Sequence, residues 1–486
     1  MASYTGLLAA CLAATLISTS AAAPASMPTT QAAGPPGATG QLYGPETLEG
    51  PGGEPVDTAD SAIVSHYDLV PGQQEEADIG LYLDLSAVRS PQPIRGTNGG
   101  TDPGPQNLMY EKANPDLYAR PGTDAGDVRN AKWPMGLSTN RPGLNGAGFA
   151  RQQNTDELPA ATAMAGVDMR LSPHAYRELH WHSAGEWSYI LNGSVRVGAM
   201  DDLGQTTYDD LTTGDVWFFP AGMPHSIQAL GEGAEFLLVF DDGSFSEDAT
   251  ALVSELFLRT PKQVLAKDLK TDISAFDNIP QDELYIFPGT PAPANLSAQN
   301  ITGPGGAIPK NQAYTYHFSD QQPYVVPGGS VKIVDPTTFP VSTISVALVT
   351  IEPGAMREIH WHPTSDEWNF FIAGNARITI FQAPQASQTF DYAEGDVGYI
   401  SATESHYIEN TGDVPVVLLE CLRAPKFTDI SVAQWLSLTP PQVVKDTIHL
   451  SDQVIANIPK YKQYIIPGNT NYTTTNFTVN GNATPS

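Results

Sequence analysis

The sequence predicts an all-β protein made of two homologous β-barrels, each flanked by a few short helices, with an extended N-terminal arm. Three observations carry that expectation. The first is an internal repeat: Arg177 and Arg357 stand 180 residues apart, His225 and His406 181 apart, and Tyr285-Ile-Phe-Pro-Gly289 and Tyr464-Ile-Ile-Pro-Gly468 179 apart. A constant period of this size means two copies of one domain. The second is length, since 486 residues accommodate two cores of ordinary size. The third is patterning: short runs rich in Val, Ile, Phe and Tyr alternate with turn residues, which is how strands of a barrel or sandwich read.

Residues 1–23 carry an apolar run, Leu7 to Ile17, and end in Ala21-Ala22-Ala23. This reads as a secretory signal, because the run is far short of the roughly 20 residues a membrane span needs. Secretion, to the medium or the cell wall, is the expectation. Residues 24–74 are rich in Pro, Gly, Ala and Thr and read as a low-complexity or pro-segment. Residues 75–126 hold turn-forming stretches such as Arg95-Gly-Thr-Asn-Gly-Gly100 and Thr101-Asp-Pro-Gly-Pro105, so they read as an extended arm lying across a neighbouring domain or subunit.

The first barrel is expected within 127–305 and the second within 306–470. Strand-like segments are Ser188 to Leu191, Ser194 to Val197, Val216 to Phe219 and Glu235 to Phe240, with counterparts Asn369 to Ile372, Ala376 to Phe381, Val397 to Ile400 and Pro415 to Leu422. After each barrel the period turns helical, at Ala249 to Arg259 and Val432 to Leu438. Residues 471–486 form a tail carrying Asn471, Asn476 and Asn482 in Asn-x-Ser/Thr acceptors; Asn192, Asn295 and Asn300 supply three more. Such acceptors fit a glycosylated secreted protein.

Charge excludes some partners. With 53 acidic and 24 basic residues the net charge is -29, which disfavours nucleic acid and anionic membranes. A carboxylate-rich surface loses charge on acidification and fits an acidic working environment. Loss of the signal removes Cys11 and leaves Cys421 alone, so no intrachain disulfide is expected.

The chemistry resides in the repeat. His180-Trp181-His182 is followed by Glu186 and His225, and His360-Trp361-His362 by Glu367 and His406. Side chains two apart on a strand share a face, so each His pair converges while the Trp between them points away. Three imidazoles and one carboxylate, repeated in register, read as a metal site in each barrel. Such a set with open positions suits a six-coordinate ion such as manganese or Fe(II) better than zinc. Arg177 and Arg357 precede each His pair by three residues, and a guanidinium fork there suits a small carboxylate substrate. The competing reading pairs these arginines with structural carboxylates, Glu178 or Glu358.

His180-x-His182-x3-Glu186-x6-Gly193 and Gly214-x5-Pro220-x-Gly222-x2-His225 resemble the two cupin motifs, and the second barrel repeats them from Gly354 to Asn410. The departures are at turns: His174 stands at the opening Gly of the first motif, and Ser401 and Thr403 at the Pro and Gly of the second. The resemblance implies jelly-roll barrels. Pro91 to Gly100, Arg177 to His182, Phe219 to Gln228 and Phe240 to Asp248 narrow it to bicupin oxalate decarboxylases, over about Pro91 to Pro467.

That resemblance implies cleavage of oxalate to formate and carbon dioxide, two manganese ions per chain, dioxygen as co-catalyst, and a homo-oligomer, hexameric in the family. It places Glu247 on a lid over the first metal as proton donor, within Ser246, Glu247, Asp248 and Ala249, with Gly243 as a hinge. It also assigns Glu420 as an acidic group beside the second metal, a site expected to tune structure or redox state. The rivals are an oxalate oxidase releasing hydrogen peroxide and a non-enzymatic bicupin storage or binding protein.

Overall fold

Alternation of buried and partly exposed side chains sets the architecture: in Ser345–Ile351 the first three residues and then every second one are buried. The computed structural model describes Asn114, Asp116 and residues 120–468. The leader, the segment 24–74, most of the arm, Cys11 and the glycosylation sites at Asn471, Asn476 and Asn482 lie outside the described residues.

The first barrel consists of β1 (Gly148–Gln153), β2 (Ala165–Leu171), β3 (Tyr176–Trp181), β4 (Glu186–Met200), β5 (Thr206–Thr212), β6 (Val216–Phe219) and β7 (His225–Phe240). The long strands β4 and β7 serve both of its faces. The start of β4 pairs with the end of β7 and with β6, while its second half pairs with the start of β7 and with β5. Register shifts at Ile190/Asn192 and Gly193/Val195 mark the bend. The two segments expected at Ser188–Leu191 and Ser194–Val197 are therefore one bent strand.

The second barrel repeats the plan with β8 (Gly329–Val334), β9 (Ser345–Ile351), β10 (Met356–Trp361), β11 (Glu367–Ala373), β12 (Ala376–Gln382), β13 (Ala386–Tyr392), β14 (Asp396–Ile400), β15 (Ser405–Asn410) and β16 (Val416–Leu422). Here the bent strands are interrupted, leaving two antiparallel sheets face to face. The helices follow as α1 (Val253–Arg259), α2 (Lys262–Asp268), α3 (Val432–Leu438), α4 (Pro441–Ile448) and α5 (Asp452–Asn457). The helix expected from Ala249 begins at Val253, because Ala251–Leu252 first pairs with β3.

The barrels share strands as well as a core. Lys132–Pro134, expected in the first domain, pairs with β14 of the second barrel, and Thr315–Tyr316, expected in the second, pairs with β6 of the first. Main-chain pairing has no side-chain signature, so sequence boundaries missed this exchange. The end of the arm lies on the second barrel, where Asp124 accepts from the Thr389 amide at 3.0 Å. Between the barrels, Trp187, Phe218 and Leu237 meet Trp368, Phe370 and Tyr399 in one buried cluster. Trp368 reaches across to donate from Nε1 to Gln153 Oε1 at 2.7 Å. A Cβ on Gly166 would lie 2.3 Å from the Trp368 ring, so this contact requires glycine.

Candidate metal centres

His180 and His360 reach the barrel interiors by alternation, but Arg177 and Arg357 do not. An odd spacing of three should place Arg and His on opposite faces. A register shift between Arg177 and His180, and another between Arg357 and His360, brings both inward. The residue displaced outward is Leu179, 55% exposed, or Ile359, 44% exposed, whereas both arginines are 1% exposed.

In each barrel the donor atoms of three histidines and one glutamate lie within 4.8 Å of one another, all buried. His182 Nε2 is 3.0 Å and His225 Nε2 3.5 Å from Glu186 Oε2; in the second barrel His362 and His406 stand 2.7 and 3.0 Å from Glu367 Oε2. The Nδ1 atoms are all committed to carbonyl oxygens, those of Glu178, Ala184 and Met223 in the first barrel and of Glu358, Thr428 and Glu404 in the second. With Nδ1–H donating, each Nε2 presents a lone pair to the centre. Burial, with Arg177 or Arg357 alongside, holds His180 and His360 well below the ordinary imidazole range. Burial opposes ionisation of Glu186 and Glu367, yet the adjoining histidines hold both carboxyls well below their usual range.

These residues fit a cation. At the second centre Nε2 of His360, His362 and His406 and both Glu367 oxygens are buried without hydrogen-bond partners, as is His225 Nε2 at the first. Lone pairs and a carboxylate packed this closely repel unless a positive ion sits among them.

The turns that departed from the motif keep its geometry. His174 takes φ 65° where the second barrel has Gly354 at 72°, and Thr403 takes 70° where the first has Gly222 at 79°. Thr403 and Gly222 both donate their amides to the carbonyl of the second His, at 2.9 and 2.7 Å.

A family model described as Cupin matches residues 136–275 and 316–456. The oxalate decarboxylase of Bacillus subtilis (strain 168) is 44% identical over 377 residues, spanning 77% of this chain and 97% of that one. This chain belongs to the bicupin oxalate decarboxylases. A probable oxalate decarboxylase of Arthroderma benhamiae is 38% identical over 382 residues, covering 77% of this chain and 93% of the relative. A solved structure of the Bacillus enzyme, from work on its Mn(II) centres, shares 43% identity and a TM-score of 0.73, covering 78% of this chain and 99% of that one.

Within this shared bicupin frame the two centres differ. Glu186 Oε1 accepts from Trp217 Nε1 at 2.8 Å, whereas the register position of Trp217 is taken by Gly398 in the second barrel, leaving Glu367 without that donor. The register position of Glu420 is Leu238 in the first barrel. Glu420 Oε1 accepts from Arg357 Nε at 3.3 Å, and burial, with Glu367 nearby, raises its pKa.

Glu247 sits on a one-turn helix capped by Ser246 and accepts from Arg177 Nη2 at 2.9 Å. Gly243 is required there by space, since a Cβ would fall 2.1 Å from the Ala161 carbonyl. Glu178 and Glu358 are not the arginines' partners: Glu178 accepts from the amides of Ser254, Leu284 and Tyr285, and Glu358 from Tyr464 and Gln463. Sequence reasoning missed Tyr285, whose buried ring lies 4.3 Å from the Arg177 guanidinium and 3.9 Å from that of Arg141. It also missed Asp429, which pairs with Arg357 and Lys462. The repeated Tyr-Ile-x-Pro-Gly was the available signal for the tyrosine; nothing local marked the aspartate.

Proposed function

We propose that the chain cleaves oxalate to formate and carbon dioxide at its first centre. The observation that carries this reading is the Arg177–Glu247 pair, in which both partners are buried (1% and 6% exposed) beside the first His/Glu cluster. A guanidinium held against Tyr285 offers a fixed fork for one oxalate carboxylate. Glu247, on the loop opposite, supplies the proton. When the carbon–carbon bond breaks and one carbon leaves as carbon dioxide, the remaining carbon must gain a proton to become formate, and a positioned acid does this. Phe245, 5.5 Å from the His182 ring and stacked on Phe240, walls the same loop against water.

His180, His182, Glu186 and His225, and likewise His360, His362, Glu367 and His406, would each hold one manganese ion, the metal of the Bacillus enzyme's centres. Bound manganese, with dioxygen as co-catalyst, supplies the redox chemistry of the cleavage. Assaying formate, hydrogen peroxide and bound manganese on purified protein tests the reading: formate near one per oxalate with two manganese per chain supports it, and peroxide as the main product would replace it with oxidase chemistry.

We also infer a secreted, glycosylated homo-oligomer. Support comes from the leader-like residues 1–23, from exposed Asn192 and Asn295 acceptors, and from apolar side chains left on the surface, among them Trp435 and Leu438. A mature N-terminus near Ala23, a mass loss with glycosidase and a hexamer in solution are the expected results.

A further inference from the structure

The second barrel carries a loop built like the one that holds Glu247. Phe427, two residues before Asp429, lies 5.5 Å from the His362 ring, as Phe245, two residues before Glu247, lies 5.5 Å from His182. Asp429 meets Arg357 as Glu247 meets Arg177. Two differences follow. Glu247 is separated by three residues, 248–250, from the strand Ala251–Leu252 pinned to β3, whereas Asp429 abuts Ile430–Ser431, pinned to β10 at Trp361 and His360. The first acid stands three residues from its pinned strand, and the second directly against it. In addition, Lys462 pairs with the Asp429 carboxylate and donates to its carbonyl at 2.9 Å, at a position where the first barrel has Glu283.

We propose that Asp429, pinned by Lys462, occupies the place on Arg357 that a substrate carboxylate would take, and so latches the second centre shut to oxalate. The proposal rests on the oxalate reading above. Displacing Asp429 would strip Lys462, only 19% exposed, of its carboxylate partner and leave Arg357 paired with Glu420 alone, and breaking a buried pair by removing one partner is strongly unfavourable. Burial and the nearby Arg357 already lower the Lys462 pKa to about 8. Behind the latch, Glu420 Oε2 and both polar atoms of the Asn369 side chain are buried without hydrogen-bond partners, so the barrel interior can bind a small polar ligand once it is admitted.

The test is oxalate binding by titration calorimetry to the manganese-loaded full-length chain under nitrogen, with Mn(II) resonance spectra reporting which centre responds. The parent should bind one oxalate per chain, perturbing one manganese signal. Asp429→Ala and, independently, Lys462→Met should bind two and perturb both signals, and adding Arg357→Ala should return the count to one. Two oxalates per parent chain, or one per chain in both variants with both metals retained and parent-like circular dichroism, overturns the latch. No binding to the parent removes the oxalate reading and this proposal together.

Discussion

Arg177 Nη2 donates to Glu247 Oε2 across 2.9 Å, joining a residue of strand β3 to one seventy positions later on a loop. The pair places a carboxyl and a guanidinium together beside the first His/Glu cluster. Glu247→Gln preserves shape and removes the proton. Formate production is expected to fall by about 10²- to 10⁴-fold, the usual contribution of a positioned general acid. Oxalate consumption with peroxide release should persist. Parallel formate and peroxide assays check this, and undiminished formate would remove Glu247 from its role.

Arg177→Lys keeps the charge but loses the planar fork and the stacking on Tyr285, 4.3 Å away. Bidentate contact with a carboxylate cannot form. KM for oxalate should rise and kcat fall together, by about tenfold or more in kcat/KM, since a charge-assisted hydrogen bond is worth about 1.5–3 kcal/mol. Steady-state kinetics at matched manganese content measures the change.

The Trp217–Gly398 exchange makes the two metal sites unequal. The indole of Trp217 orients Glu186 through a 2.8 Å hydrogen bond, and outer partners of this kind commonly contribute about 10- to 100-fold in metal affinity. Trp217→Phe should therefore speed manganese release from the first centre under chelator competition by about 10- to 100-fold relative to the parent. Release from the second centre, with Gly398 at that position, should be unchanged. Mn(II) release followed by resonance spectroscopy distinguishes them; an unaltered release rate at the first centre would contradict the assignment.

The sequence made the ligand sets legible because a period of about 180 residues repeated them, and alternation on one strand put each His pair on a common face. Arg177 is buried beside the first cluster, although simple alternation turns it outward: the bulge that brings it inward is a property of register between β3 and β7. Asp429 was invisible because Thr428-Asp429 looks like any loop dipeptide, and its partners Arg357 and Lys462 lie 72 and 33 residues away. The exchange of Lys132–Pro134 onto the second barrel is likewise written in main-chain hydrogen bonds, which any residue but proline can donate. Tyr285 and Tyr464 take positive φ, 52° and 60°, a strain visible only in the folded chain.

Gly166→Val tests whether the barrels depend on their shared core. A side chain there meets the Trp368 ring at 2.3 Å and displaces the indole from Gln153. Overpacking of this kind costs about 1–3 kcal/mol, and losing the buried hydrogen bond adds about 1 kcal/mol. The expected result is a lower melting temperature with both metal sites still able to bind manganese. An unchanged melting temperature would show that the interface yields without cost.

Asp168, on β2, bears on the acidic working environment suggested by the net charge of -29. Burial first, then the negative charge of Glu235, pushes its carboxyl up to about 7 despite Arg151 and Arg170, and its Oδ1 is buried without a partner. A carboxyl whose folded pKa exceeds its unfolded value of 3.8 binds the proton more tightly when folded. Its contribution to stability is complete below pH 3.8 and is lost as pH rises through about 7. Asp168→Asn mimics the protonated form at every pH. The variant should match the parent at pH 4 and melt at a higher temperature at pH 8, where the parent holds a buried charge. Thermal unfolding at the two pH values decides it: equal melting temperatures at pH 8 would mean that Arg151 and Arg170 neutralise Asp168 fully.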